Sequence, residues 1–171
     1  MVRPLVILAG LVICVSTSNA QVTSAPAPHQ HPTVVQSPVI DGATNPELIP
    51  DSLAYRLYFV AVSTAQNPSD DERKRQRTHL AKTGLADSEQ EALVAVLTDF
   101  RSNYDALIAQ YNEAAKAALA HNQAADISTL LNALDGLVQT TRDKLTLRLS
   151  PGGRALLHAF VISEKKSMRL Q

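Results

Sequence analysis

From Ser88 to about Ala120, apolar residues recur at Leu93, Leu97, Phe100, Tyr104, Leu107, Tyr111, Ala114 and Ala118, in alternating steps of four and three. That spacing keeps one narrow stripe on a single helix face and predicts a long helix packed along a partner. Val94, Val96 and Ile108 broaden the stripe, so the helix is expected to touch more than one neighbour. At 1.5 Å per residue, roughly 30 residues make a rod of about 45 Å. Carried past Ala118, the same phase lands on His121, Ala125, Ser128 and Asn132, which are mostly polar. A fresh phase starts at Ile127 and runs through Leu131, Leu134, Val138, Thr141, Leu145 and Leu149. The jump predicts a break between about His121 and Asp126, with Asn122 or Asp126 capping the next helix. Two long helices with matching stripes read as an antiparallel hairpin. No proline or glycine marks the joint, and one continuous bent helix is the competing reading.

Shorter helices flank the hairpin. Asp51-Ser52 can cap a helix to about Thr64, with Leu53, Leu57, Val60 and Ala61 on one side and Tyr55, Tyr58 and Phe59 widening the apolar face. Ser69-Asp70-Asp71-Glu72 has the capping-box spacing, and its acidic first turn followed by Arg73, Lys74, Arg75, Arg77 and Lys82 suits the helix dipole. Gly84 sits where a left-handed terminating residue belongs, with Leu85 as its hydrophobic contact. This second helix has few apolar members and is expected at the surface. Asp87 or Ser88 can cap the long helix. Ser150-Pro151 starts a last helix with a cap residue followed by proline in the first turn, and Leu156, Leu157, Phe160 and Val161 form its apolar face. No alternation is long enough for a sheet. The pattern over residues 51–171 is an all-α bundle of about five helices built around a long antiparallel helical hairpin.

The first fifty residues have another character. Met1-Val2-Arg3, the apolar run Leu5 to Val15 and the small residues of Ser18-Asn19-Ala20 make residues 1–20 a secretory signal peptide, with cleavage expected after Ala20. The run is too short for a span of about 20 apolar residues, so no transmembrane span is expected in the mature form. The protein is therefore expected to be secreted or periplasmic. The single cysteine, Cys14, lies in this segment. A mature chain without it has no thiol, which excludes disulfides and cysteine metal sites. Residues 21–50 carry six of the nine prolines. Proline fixes φ, lacks a donor and biases its predecessor away from helix, so this stretch reads as a disordered tether. Val34-Val35 and Val39-Ile40 are apolar islands able to pack back on the domain.

Ala and Leu dominate the apolar residues, Trp is absent, and 16 basic residues balance 16 acidic ones. A near-neutral chain lacks the excess positive charge of a general nucleic-acid binder, so no nucleic-acid partner is expected. His29-Gln30-His31 sits in the proline-rich stretch, where no rigid geometry holds a metal. His79, His121 and His158 lack partners at helical metal-motif spacing. No Gly-x-Ser-x-Gly elbow is present, and Gly152-Gly153 is not followed by Gly-Lys-Ser/Thr. The sequence thus points to no catalytic residue, metal site or cofactor. Tyr55, Tyr58 and Phe59 are the aromatic concentration: core residues of a small bundle or, if two of them face outward, a partner-binding patch.

Asn45-Pro46-Glu47-Leu48-Ile49-Pro50-Asp51 with Tyr55, and Leu149-Ser150-Pro151-Gly152-Gly153-Arg154, resemble small exported helical bacterial proteins without an assigned function, over about the last 130 residues. The architecture also resembles the periplasmic stress chaperones that carry Leu-Thr-x-x-Gln motifs. Here Leu85-Ala86-Asp87-Ser88-Glu89-Gln90 has one residue more and no threonine. The expectation for function is an exported, non-enzymatic helical protein that binds a protein partner or a cell-envelope component, chaperone-like or sensor-like in its sharpest form. One alternative is a structural module forming a homo-oligomer through the 93–118 stripe, and another is an envelope-directed hydrolase of unrecognised type.

Overall fold

The computed structural model of the chain describes residues 39–170. The expected signal segment 1–20, with Cys14, and the part of the proline-rich stretch that holds His29-Gln30-His31 lie outside the described residues. Among the described residues five helices make an all-α bundle: α1 (Asp51–Val62), α2 (Asp70–Ala81), α3 (Asp87–Ala120), α4 (Ile127–Arg148) and α5 (Pro151–Glu164). Two-residue strands β1 (Ile40–Asp41) and β2 (Arg169–Leu170) and two 3-10 turns, Pro46–Leu48 and Lys165–Ser167, complete it.

The hairpin forms as two separate helices. α3 ends at Ala120, Asn122 takes a left-handed φ of 54°, and the Asp126 carboxylate accepts the Ser128 amide at 2.9 Å to start α4. Ser128 and Thr129 hydroxyls also donate to Asp126, and together these donors pull its carboxyl down to about 2. A left-handed non-glycine residue and a new cap leave no room for one bent helix. α3 and α4 run antiparallel, and Lys144 Nζ lies 3.2 Å from Asp99 Oδ2 between them.

Only half of the hairpin is built into a core. Leu93, Val96, Leu97 and Phe100 are the buried residues of α3; beyond them the stripe is half-buried or exposed. α1 supplies the covering layer, touching α2, α3, α4 and α5. Phe59 meets Phe100 edge-on at 5.3 Å between ring centroids, and Val62, Val138, Leu157 and Val161 close round them. On α4, Leu134, Val138, Thr141 and Leu145 are buried as the phase predicts, but Ile127 and Leu131 are 56% and 42% exposed. An undistorted helix drifts by about 20° per heptad against a 3.5-residue repeat, so at the far end Leu130 and Ala133 turn toward α3 instead. In α5, Leu157 and Val161 point inward and Leu156 outward.

Several ends differ from expectation. Asp51 does not cap α1; Pro50 holds that place and the Asp51 carboxylate pairs with Lys165, which holds its pKa below the ordinary value. Ala86, not Asp87 or Ser88, precedes α3, with no side-chain cap. Asp87 is the first helical residue, where its charge still suits the dipole. The Ser69–Glu72 capping box forms, Gly84 has φ 71°, and Ser150 Oγ accepts the Gly153 amide at 3.0 Å. The folded part also begins before residue 50. Ile40 and Asp41 pair with Leu170 and Arg169, the Gly42 amide donates to the Met168 carbonyl at 2.9 Å, and Ile49 is fully buried. A two-residue ladder is too short to leave a period in the sequence.

Candidate functional site

Three features could meet a ligand: the aromatic cluster of α1, a small cleft beside it, and the distal end of the hairpin. Tyr55, Tyr58 and Phe59 fall on the inward side of α1 and all three are buried. They make no exposed patch. Tyr55 and Tyr58 tilt against Phe59, and Tyr58 meets Phe160 edge-on at 5.6 Å. The Tyr58 hydroxyl has no hydrogen-bond partner, and burial pushes its pKa upward.

Tyr55, although buried, lines one side of the small cleft. On α4, Arg142, Leu145 and Thr146 lie on one side of the helix, with Leu149 following at its C-terminal end; on α5, Arg154, Leu157 and His158 share a face. With Tyr55 they line a cavity of about 170 Å³ between α1, α4 and α5. Tyr55 Oη and His158 Nδ1 lie 3.1 Å apart. The Arg142 guanidinium sits 4.5 Å from the Tyr55 ring centroid, a cation–π contact. Arg154 Nη1 donates to the Thr146 carbonyl at 2.7 Å, which fixes the second guanidinium at the rim. Burial raises the Tyr55 pKa, against the opposing pull of Arg142. Neither Arg142 nor Arg154 makes an ion pair among the described residues. The Asp51 carboxylate close to this cleft is engaged by Lys165.

The distal hairpin is apolar and open. Leu107, Tyr111, Ala114 and Ala118 of α3 face Leu130 and Ala133 of α4 across a groove of about 390 Å³. Leu119, near the same corner of the hairpin, is 65% exposed, and Ile127 and Leu131 are exposed to the degrees given above. Small side chains on both helices leave the groove shallowly filled.

The sequence drew notice to the aromatics, which became core. It did not single out Arg142, Arg154 or His158 as a group. The available signal was an arginine placed among the leucines of each helix face, at 142 with 145 and 149, and at 154 with 157. Nothing in the sequence joins the two faces. Among the described residues no three His, Cys, Asp or Glu side chains gather to hold a metal ion, and no helix is long and apolar enough to cross a membrane. His79 is partly buried on α2, which lowers its pKa, and lies away from the cleft.

Both motifs that carried the resemblance to small exported helical proteins are helix starts: Pro46 opens the 3-10 turn before α1, and Ser150-Pro151 opens α5. Compared with protein-family models, curated proteins and solved structures, the chain finds no match.

Proposed function

We propose that the chain is an exported, non-enzymatic helical protein that binds a protein partner or a cell-envelope component, with a chaperone-like or sensor-like role as its sharpest form. The observation that carries this reading is the distal hairpin: its groove is open and apolar, and Leu119, Ile127 and Leu131 near the same corner of the hairpin are exposed. Clusters of large exposed side chains on a small domain mark interaction surfaces. The export expectation rests on residues 1–20 and the class of function on the surface chemistry of the hairpin.

Light scattering of an aggregating client protein in the presence of the purified chain tests the reading. Suppression that is lost in a triple variant, Leu119→Gln, Ile127→Gln and Leu131→Gln, supports it. No suppression at several-fold excess removes the chaperone form.

Self-association is the second reading, and the same exposed residues favour it. The surface differs from the whole 93–118 stripe, because Leu93, Leu97 and Phe100 are consumed by the chain's own core. Only Leu107 to Ala118 remains for a second copy. Sedimentation equilibrium that gives a monomer at micromolar concentration sinks this version. The hydrolase reading gains no such support. The cleft lining contains no serine or cysteine, and the Thr146 hydroxyl donates to the Arg142 carbonyl.

A further inference from the structure

We infer that the cleft between α1, α4 and α5 is a binding site for a carboxylate carried on a short apolar chain, held between the Arg142 and Arg154 guanidinium groups with the Tyr55–His158 pair at its floor. The cleft lies away from the distal end of the hairpin, and the inference does not depend on what that end binds.

The charge pattern is the first argument. Two guanidinium groups line one small cavity and neither has a carboxylate partner among the described residues. Among the other described arginines, Arg73, Arg101 and Arg169 pair with acids and Arg56, Arg75, Arg77 and Arg148 do not; what sets Arg142 and Arg154 apart is that both line the same cavity. The Asp51 carboxylate, the acid whose pKa responds to both Arg142 and His158, is tied to Lys165. An excess of positive charge therefore remains at the cleft. Guanidinium groups present a planar fork of donors that matches an oxyanion.

Rigidity is the second. The Arg142 guanidinium lies over the Tyr55 ring, and Arg154 is anchored to the Thr146 carbonyl. Tyr55 is held by His158 at its hydroxyl and by Phe59 at its ring. Donors fixed before a ligand arrives lose little freedom on binding it. At the α5 N-terminus the Gly153 amide is already taken by Ser150 Oγ, and the Glu89 carboxylate already occupies that end through Ser150.

Size and lining choose the ligand class. About 170 Å³ lies below the roughly 300 Å³ at which drug-sized ligands begin to fit, so a nucleotide is too large. Leu145, Leu149 and Leu157 give the cavity an apolar side. A carboxylate with a few carbons satisfies both sides, whereas inorganic phosphate leaves the leucines unpaired with anything apolar. The same chemistry is offered by a free short-chain acid and by the C-terminal residue of a peptide.

Isothermal titration of the purified chain with butyrate, N-acetyl-leucine, inorganic phosphate and butyramide tests the site. Butyrate or N-acetyl-leucine should bind saturably, and butyramide, which has the same chain and no charge, should not. Tighter binding of N-acetyl-leucine assigns a peptide terminus; tighter binding of butyrate assigns a free acid. Arg154→Gln and Arg142→Gln should each weaken binding by about tenfold or more, the usual loss for one charged hydrogen-bond partner. Arg77→Gln, on α2, should leave it unchanged. Circular dichroism monitors the fold, and Arg154→Gln, at the rim, carries the test if Arg142→Gln is unfolded. Absence of saturable carboxylate binding at about 10 mM, equal binding of butyramide, phosphate binding tighter than either carboxylate, or unaltered affinity in folded Arg154→Gln would each overturn the assignment.

Discussion

Glu89, in the first turn of α3, caps the start of α5 through Ser150: the Ser150 hydroxyl donates to Glu89 Oε1 at 2.6 Å and the Ser150 amide donates to the same oxygen at 3.2 Å. Ser150 Oγ in turn accepts the Gly153 amide. One carboxylate thus joins helices 61 positions apart in sequence, and it meets α5 at the end where a negative charge is favoured.

The Ser150 bonds hold the Glu89 pKa below its ordinary value. A carboxyl whose folded pKa is lowered contributes stability above the unfolded pKa and loses it as pH falls through the folded one. Glu89→Gln should therefore melt at a lower temperature than the native chain at pH 7. The gap between the two should close as pH falls below the ordinary glutamate value. Thermal melts followed by circular dichroism between pH 7 and pH 2.5 check this, and a gap that does not change with pH refutes it.

Two glycines should respond in opposite directions to alanine. A Cβ on Gly42 would lie 1.8 Å from the Lys165 carbonyl oxygen, a backbone atom that cannot step aside. Gly42→Ala should cost about 1–3 kcal/mol, as overpacking of a closed site does, by prising the β1 segment from the C-terminal segment. Gly136 lies inside α4 with open space where its Cβ would be. Gly136→Ala should stabilise by about 0.5–1 kcal/mol through helix propensity. Urea denaturation of both variants gives the two signs directly.

Tyr58 buries a hydroxyl without a partner. Removing it relieves the desolvation of an unsatisfied group, so Tyr58→Phe should be neutral to stabilising by about 1 kcal/mol. Marked destabilisation in urea melts would show that the hydroxyl has a bond that the fold depends on.

Stability should be graded along α3. Phe100 is 1% exposed, and Phe100→Ala should cost about 3–5 kcal/mol. Leu119→Ala, near the tip, should stay within about 0.5 kcal/mol, the usual range for a surface change. Hydrogen exchange should show the same gradient, with amides around Leu97 protected far more than those around Ala114. A helix covered on one side only opens locally at less cost.

The helices are legible in the sequence because their signals are local. The stripe from Leu93, the box at Ser69–Glu72, the left-handed Gly84 and the start at Ser150-Pro151 each act within a turn or two of the chain. The phase jump after Ala118 likewise placed the corner of the hairpin where Asn122 and Asp126 make it. Tertiary structure decided which part of each stripe is covered. A repeat marks an apolar face but not how far a third helix extends over it, so Leu97 and Ala114, on one stripe, end in core and in solvent. It also decided every long-range polar link. Glu89 meets Ser150, Asp51 meets Lys165, and Arg142 shares a cleft with Arg154 and His158, because separate helices come together at angles that no local spacing encodes. The candidate ligand site belongs to this second kind: each half is present in its own helix, and only packing against α1 brings the halves to one place.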